Sequence, residues 1–195
     1  MTPPAGSVTV QGHELQVGTN SLGHYLLAHL LSPILTRTAA SSPKSTVRVT
    51  WAASITTLAS PPGGVALDPK TNAPIAHGIP GKDYAQSKGA NCLLAAEYHR
   101  RHPDIVSVAW NPGNLWSELQ RHQSLVERVI SYGFMFPTKL GAYTELFAGW
   151  SDEVEGGRYV GPWGRFVTLR SDIEGNVEGA RRLWEWCEQV TRKFC

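Results

Sequence analysis

Apolar residues recur at helical spacing along residues 12–35, where Leu15, Leu22, Leu26, Leu30 and Ile34 make a stripe that Leu27 and Leu31 widen. This predicts a long first helix. Residues 36–45 are rich in Ser, Thr, Ala and Pro and predict a loop. The run Val47-Arg-Val-Thr-Trp-Ala-Ala53 is β-branched and aromatic, and predicts a buried strand. Residues 60–82 are dense in proline and glycine and predict a long loop, a feature that in a compact domain is functional or mobile. A second long helix is predicted over 83–101, and a second buried strand over 105–110. That strand ends in the turn signal Asn111-Pro-Gly-Asn114. Residues 124–132 and 138–150 read as helices, and Arg158-Tyr-Val160 as a short third strand ahead of Gly161-Pro-Trp-Gly164. Residues 174–192 form a closing amphipathic helix with Ala180, Leu183, Trp184, Cys187 and Val190 on one stripe.

Strands alternating with helices imply parallel pairing through right-handed crossovers. The strands are apolar without polar alternation, as a sheet covered on both faces requires. The predicted class is α/β, a doubly wound parallel sheet flanked by helices. Three strands are few for so many helices, so the sheet reads as incomplete at one edge.

Composition narrows the function. The chain has 195 residues, 42% apolar and 17% charged, with a net charge of +2. It is too apolar for a disordered chain and is sized for one domain. No basic block points to nucleic acid or an anionic membrane. Cys92, Cys187 and Cys195 are odd in number and widely spaced, which argues against a disulfide framework or a cysteine zinc site and for reduced thiols. The first residues have no basic region followed by an apolar one. The most apolar stretch, 22–35, holds His24, His29 and Pro33 and is too short and polar to span a bilayer. A cytoplasmic location is the expectation. His24 and His29 share no clean helix face, and His99 and His102 stand at a helix end, so no metal site is expected. A hydrolase reading lacks its Gly-x-Ser-x-Gly elbow.

The sharpest local signal is Tyr84-Ala-Gln-Ser-Lys88, which puts a phenol and an ammonium on one helix face. An unperturbed phenol titrates near ~10, and a neighbouring ammonium favours its charged form. Such a pair serves as a tunable proton donor and acceptor. Alone it is equally a surface ring lying on a lysine stem. Its context is more specific. Ser54 and Pro112-Gly113 each follow a predicted strand, at the carboxyl ends where open α/β sheets bind ligands, and Asn20 lies within the first helix.

Together these pieces resemble the short-chain dehydrogenase/reductase family. The resemblance rests on Asn20-Ser-Leu-Gly-His24, on Ser54 after its strand, on Tyr84-x-x-x-Lys88, and on Pro112-Gly113-Asn-Leu115-Trp-Ser117. It covers nearly the whole chain. Gly12-x-Glu14, Gly141-Ala-Tyr-Thr-Glu145 and Gly161-Pro-Trp-Gly-Arg165 look closest to the retinol-dehydrogenase-like branch and its fungal members, many of which serve secondary-metabolite pathways. The resemblance implies a Rossmann-like fold and an NAD(P)-dependent oxidoreductase of carbonyls or alcohols, with NADP the branch's usual cofactor and NAD the other choice. By it, Tyr84 exchanges a proton with the substrate oxygen, and Ser54 holds that oxygen. Lys88 lowers the Tyr84 pKa and binds the nicotinamide ribose, and Asn20 holds a relay water. Pro112, Gly113, Leu115 and Ser117 border the nicotinamide. Residues 116–132 become a lid, whose Leu119, Leu125, Val126, Val129 and Ile130, with Phe134 just beyond, suggest a small apolar substrate or else an ordinary core helix.

The sequence also departs from the family. Ser54 and Tyr84 lie 30 positions apart, and Ala53 stands where a second serine is frequent. No glycine-rich dinucleotide loop follows a first strand and opens a helix. The chain therefore reads as the single C-terminal portion of such a domain, with about three βα units absent, or about 90 residues at about 30 per unit. Weak or absent dinucleotide binding follows as an expectation. Two other readings stay open: a cofactor-independent isomerase, dehydratase or cyclase, and a non-catalytic partner that pairs with itself or with a full-length reductase through the helix of Tyr84.

Overall fold

The computed structural model describes residues 3–116 and 133–195. The predicted helix 124–132, Ser117 and most of the expected lid lie outside the described residues. The first helical run has three parts: α1 (Leu15–Val17), a π-helical turn (Gly18–Leu22) and α2 (Gly23–Ser41). There follow β1 (Arg48–Ala52), a 3₁₀ turn (Ile55–Ala59), α3 (Pro80–Arg101) and β2 (Val106–Trp110). After the undescribed residues come α4 (Thr138–Trp150), β3 (Tyr159–Gly161), β4 (Arg165–Phe166), α5 (Ser171–Glu174) and α6 (Val177–Thr191).

The four strands form one sheet in the order β1-β2-β3-β4. β1 and β2 pair in parallel from Arg48↔Val106 to Ala52↔Trp110. β2 and β3 are also parallel, and β4 returns antiparallel on β3. The class is α/β and Rossmann-like, as expected, with one short antiparallel strand that the sequence did not suggest. β1 occupies an outer edge.

Burial follows the two-residue strand period. Trp51 and Ala109 join a large cluster with α2, α3 and α6, while Val106, Val108 and Val160 join a second cluster with Ala148 of α4. Both faces of the sheet are thus covered. In the larger cluster Trp51 meets Tyr98 with ring centroids 6.1 Å apart, and Tyr98 and Tyr25 both pack on Trp184 of α6. The Trp51 indole N–H donates to Ser107 Oγ at 2.9 Å, which satisfies the buried polar end of the ring.

Three expectations are corrected. α2 runs to Ser41 rather than stopping near 35, because the Thr38 and Ser41 hydroxyls bond back to the carbonyls of Ile34 and Arg37 and leave little competition for the helix. The closing helix is broken at Gly175-Asn176, where the Asn176 side chain accepts the Gly179 N–H and starts α6 afresh. The proline-rich stretch before α3 is firmly tied. Gln86 of α3 accepts the Ala66 N–H and donates to Ile75, Asn176 donates to the Gly63 carbonyl, and Arg182 donates to Asn72 Oδ1. Among the described residues, no helix is long and apolar enough to cross a membrane.

Candidate active site

α3 carries the centre of the site because it is enclosed by its own chain. Fourteen of its 22 residues are buried. Pro80 opens it, at a position where the missing N–H costs nothing. Close approach is possible because Gly89 and Gly64 are both glycines: a Cβ on Gly89 would sit 2.4 Å from the Gly64 carbonyl oxygen. This contact draws the insert against the helix one residue after Lys88.

Ser54 stands just past β1, with its Oγ accepting the Thr56 N–H at 3.2 Å and starting the 3₁₀ turn. The Ser54 side chain lies close enough to the Tyr84 phenol to pull against the rise of its pKa. The Ser54 carbonyl is pinned from β3 by the Tyr159 hydroxyl at 3.0 Å. The two residues therefore meet despite their 30-position separation. Lys88 follows one turn later, its Nζ 5.6 Å from the centre of the Tyr84 ring. That ammonium donates to the Ala52 carbonyl at 2.9 Å, and Asn91 Nδ2 donates to the same oxygen at 2.9 Å. Asn91 is fully buried and its Oδ1 has no partner.

Asn20 lies in the π-turn. The bulge widens the helix there, a feature frequent at functional sites. Its Nδ2 donates to Ser87 Oγ at 3.0 Å, so it reaches α3 beside Lys88. Ser21 fixes the same crossing by donating to the Ser87 carbonyl.

The electrostatics reverse one expectation. Burial pushes the Tyr84 phenol above its ordinary value, opposed by the neighbouring Ser54 side chain. Burial also pulls the Lys88 ammonium down from 10.5 to about 8. Tyr84 is accordingly a neutral phenol at physiological pH. Nearby, burial drives the Cys92 thiol up to about 12, so it is an inert core thiol rather than a nucleophile.

The loop after β2 forms the other wall. Asn111 Oδ1 accepts the Gly113 N–H at 3.0 Å, and Gly113 adopts a φ of +88°, which glycine alone holds without strain. Pro112, Gly113 and Leu115 border this wall, and Leu115 bridges to Phe136. Phe136 stacks edge-on against Trp163 at 4.7 Å, leaving partly exposed aromatic surface. Sequence motifs missed Asn91, Tyr159 and the Ala52 carbonyl. Asn91 had a signal, since it falls three residues after Lys88 on the same face; Tyr159 had none.

A nicotinamide dinucleotide can be tested against these groups. Its nicotinamide and ribose end fits a buried lysine, a glycine-walled loop and a fully buried amide with a free acceptor. Its pyrophosphate end finds no counterpart: no described strand is followed by a glycine-rich turn into a helix. No described cluster of three metal-ligating side chains occurs.

No protein-family model matches the chain. A short-chain dehydrogenase/reductase from Phomopsis amygdali is 41% identical over 212 aligned positions, covering 100% of this chain and 63% of the relative. One from Emericella nidulans is 35% identical and one from Neocamarosporium betae 34%, with 64% and 58% of the relative covered and 100% and 95% of this chain. The chain thus spans less than two thirds of these relatives. Among solved structures, an uncharacterised protein from Mycobacterium paratuberculosis superposes with a TM-score of 0.70 at 28% identity over 98% of this chain and 63% of that one. The NADPH-bound carbonyl reductase from chicken fatty liver gives 0.51 at 18% identity, covering 84% and 62%, a likeness of fold alone. By its sequence relatives, and in keeping with its fold, the chain is similar along its whole length to short-chain dehydrogenase/reductases.

Proposed function

We propose that these residues form the catalytic portion of an NADP(H)-dependent carbonyl reductase or alcohol dehydrogenase, with fungal secondary metabolism as its setting. The carrying observation is the meeting of the Ser54 hydroxyl with a Tyr84 phenol that burial keeps protonated. A protonated phenol beside a fixed hydroxyl suits reduction: Ser54 holds a carbonyl oxygen and Tyr84 gives it a proton as negative charge develops there. Lys88, Asn91 and Asn20 would hold the nicotinamide ribose side, Pro112, Gly113, Leu115 and Ser117 the nicotinamide side. The bound dinucleotide supplies or accepts the hydride. Lys88, titrating near 8, keeps a positive charge beside the phenol below that pH and so favours the transient phenolate. The Phe136–Trp163 pair by Gly113 favours a small apolar substrate.

Stopped-flow NADPH oxidation with an aryl ketone, using a polypeptide that includes the dinucleotide-binding part, tests this reading. Tyr84→Phe should lower turnover roughly 10²–10⁴-fold while leaving the fold intact. Full turnover by that variant would sink the proposal. The second reading, proton transfer without hydride, draws on the absence of a pyrophosphate cradle among the described residues, because remote contacts carry much of a cofactor's binding energy. Product formed without any nicotinamide would favour it.

A further inference from the structure

The 3₁₀ turn Ile55–Ala59 is held at both ends by one segment about a hundred residues further along the chain. At its start Ser54 is extended, and its Oγ caps the turn by accepting the Thr56 N–H. The Ser54 carbonyl accepts two hydrogen bonds: the Thr57 N–H at 3.1 Å from within the turn and the Tyr159 hydroxyl at 3.0 Å from β3. Together they fill its two lone pairs. Burial pushes the Tyr159 phenol well above its ordinary value, so it stays a donor near neutral pH.

At the far end Arg170 has all five of its N–H groups engaged. Nη1 donates to the Leu58 and Ser60 carbonyls at 3.0 and 2.8 Å, and Nη2 to the Pro61 carbonyl at 2.8 Å. Nε and Nη2 donate to the two Asp172 oxygens, each at 2.7 Å. Asp172 Oδ2 also accepts the Gly63 N–H at 2.6 Å. A planar fork with every donor occupied has one orientation, and the carbonyls on it are fixed in turn. Short 3₁₀ turns have poor internal hydrogen-bond geometry, so outside anchors of this kind decide where such a turn lies. Both anchors belong to the β3–β4 hairpin and the residues just after it.

We propose that Tyr159 and Arg170 are positioning residues, which hold the two ends of this turn and thereby fix the direction of the Ser54 hydroxyl beside Tyr84. Neither reaches the reacting oxygen. Tyr159 acts on the peptide group of Ser54 itself, and Arg170 on the turn that follows. What the Ser54 hydroxyl does rests on the proposed function above; how it is held rests on the hydrogen bonds alone.

Two measurements separate these halves. The first is hydrogen exchange, read by mass spectrometry, on the 195-residue chain. Tyr159→Phe keeps the ring and removes only the hydroxyl. It should speed exchange across residues 54–59 by roughly two- to tenfold, the worth of one hydrogen bond, with α6 unchanged. Arg170→Lys keeps the charge but not the fork, and should do the same across 58–63. Unchanged exchange beside either variant overturns that end of the clamp, and Tyr159→Phe decides alone if Arg170→Lys does not fold. The second is NADPH oxidation with an aryl ketone by a polypeptide that includes the dinucleotide-binding part. Tyr159→Phe should lower kcat about 10–100-fold, the scale of a small misplacement, and leave KM for NADPH within about twofold. Added to Ser54→Ala, it should cost less than about twofold more, because a residue acting through that hydroxyl has nothing left to position. An equal loss in the Ser54→Ala background overturns the positioning role. If exchange responds but Ser54→Ala leaves turnover intact, or no NADPH is consumed by any of these proteins, the clamp stands and the proposed reductase function falls.

Discussion

α2 and α3 are helices of 19 and 22 residues, α3 carrying Tyr84 and Lys88 and α2 continuing from the π-turn that holds Asn20, yet they meet opposite surroundings. α3 buries fourteen residues, α2 only Tyr25 and Ala28. α3 is held by the sheet, by α6 and by the insert, whereas α2 shows Leu27, Leu30, Leu31 and Ile34 to solvent. A leucine stripe alone does not say what it packs on. On α3 the chain supplies its own cover; on α2 the stripe is surface suited to a neighbour. Tyr84 and Lys88 lie on the covered helix, and α2 borders the edge of β1 that no described strand pairs.

Four measurements bear on this contrast. Leu94→Ala, in the covered helix, should cost about 2–5 kcal/mol in urea denaturation, since Leu94 is fully buried; a loss under 1 kcal/mol would mean that α3 is loosely packed. Lys88→Met should stabilise the chain at pH 7 by up to about 3 kcal/mol, because burial holds the folded ammonium at about 8 against its ordinary 10.5. The sign follows from the lowered pKa. Between about 8 and 10.5 the folded chain binds fewer protons at Lys88 than the unfolded one, so the wild type regains stability as pH rises through that window. The gap between variant and wild type should therefore close by pH 10.5, and a constant gap would contradict the burial. Gly89→Ala should destabilise by about 1–2 kcal/mol by thermal melting, against the gain of about 1 kcal/mol that helix propensity alone predicts. Leu30→Ser, on the exposed stripe, should change stability by less than about 0.5 kcal/mol in the same assay.

The same contrast shows what the sequence disclosed. β1 was readable because Val47-Arg-Val-Thr-Trp combines β-branched and aromatic residues, and α4 because its limits fall at Pro137 and after Trp150. β4 was not, since two residues carry no pattern. Motif order put Ser54 and Tyr84 forward together as candidates, but the phenol's raised pKa was not legible: the four-residue spacing promises a charge nearby and says nothing of how deeply both groups are desolvated. The anchoring of residues 60–79 by Arg170, Asn176 and Arg182 was equally hidden, because partners over 100 positions apart leave no local trace.

Those anchors bear on the order of assembly. The Arg170 guanidinium grips the carbonyls of Ser60 and Pro61, and Asn176 and Arg182 hold Gly63 and Asn72. During synthesis, the insert leading into the Tyr84 helix emerges about a hundred residues before the groups that fasten it. Translation must thus pass Arg182 before the site-bearing helix is clamped in place, and a ribosome stalled earlier would present a chain that holds every motif residue but not yet the fixed geometry around them.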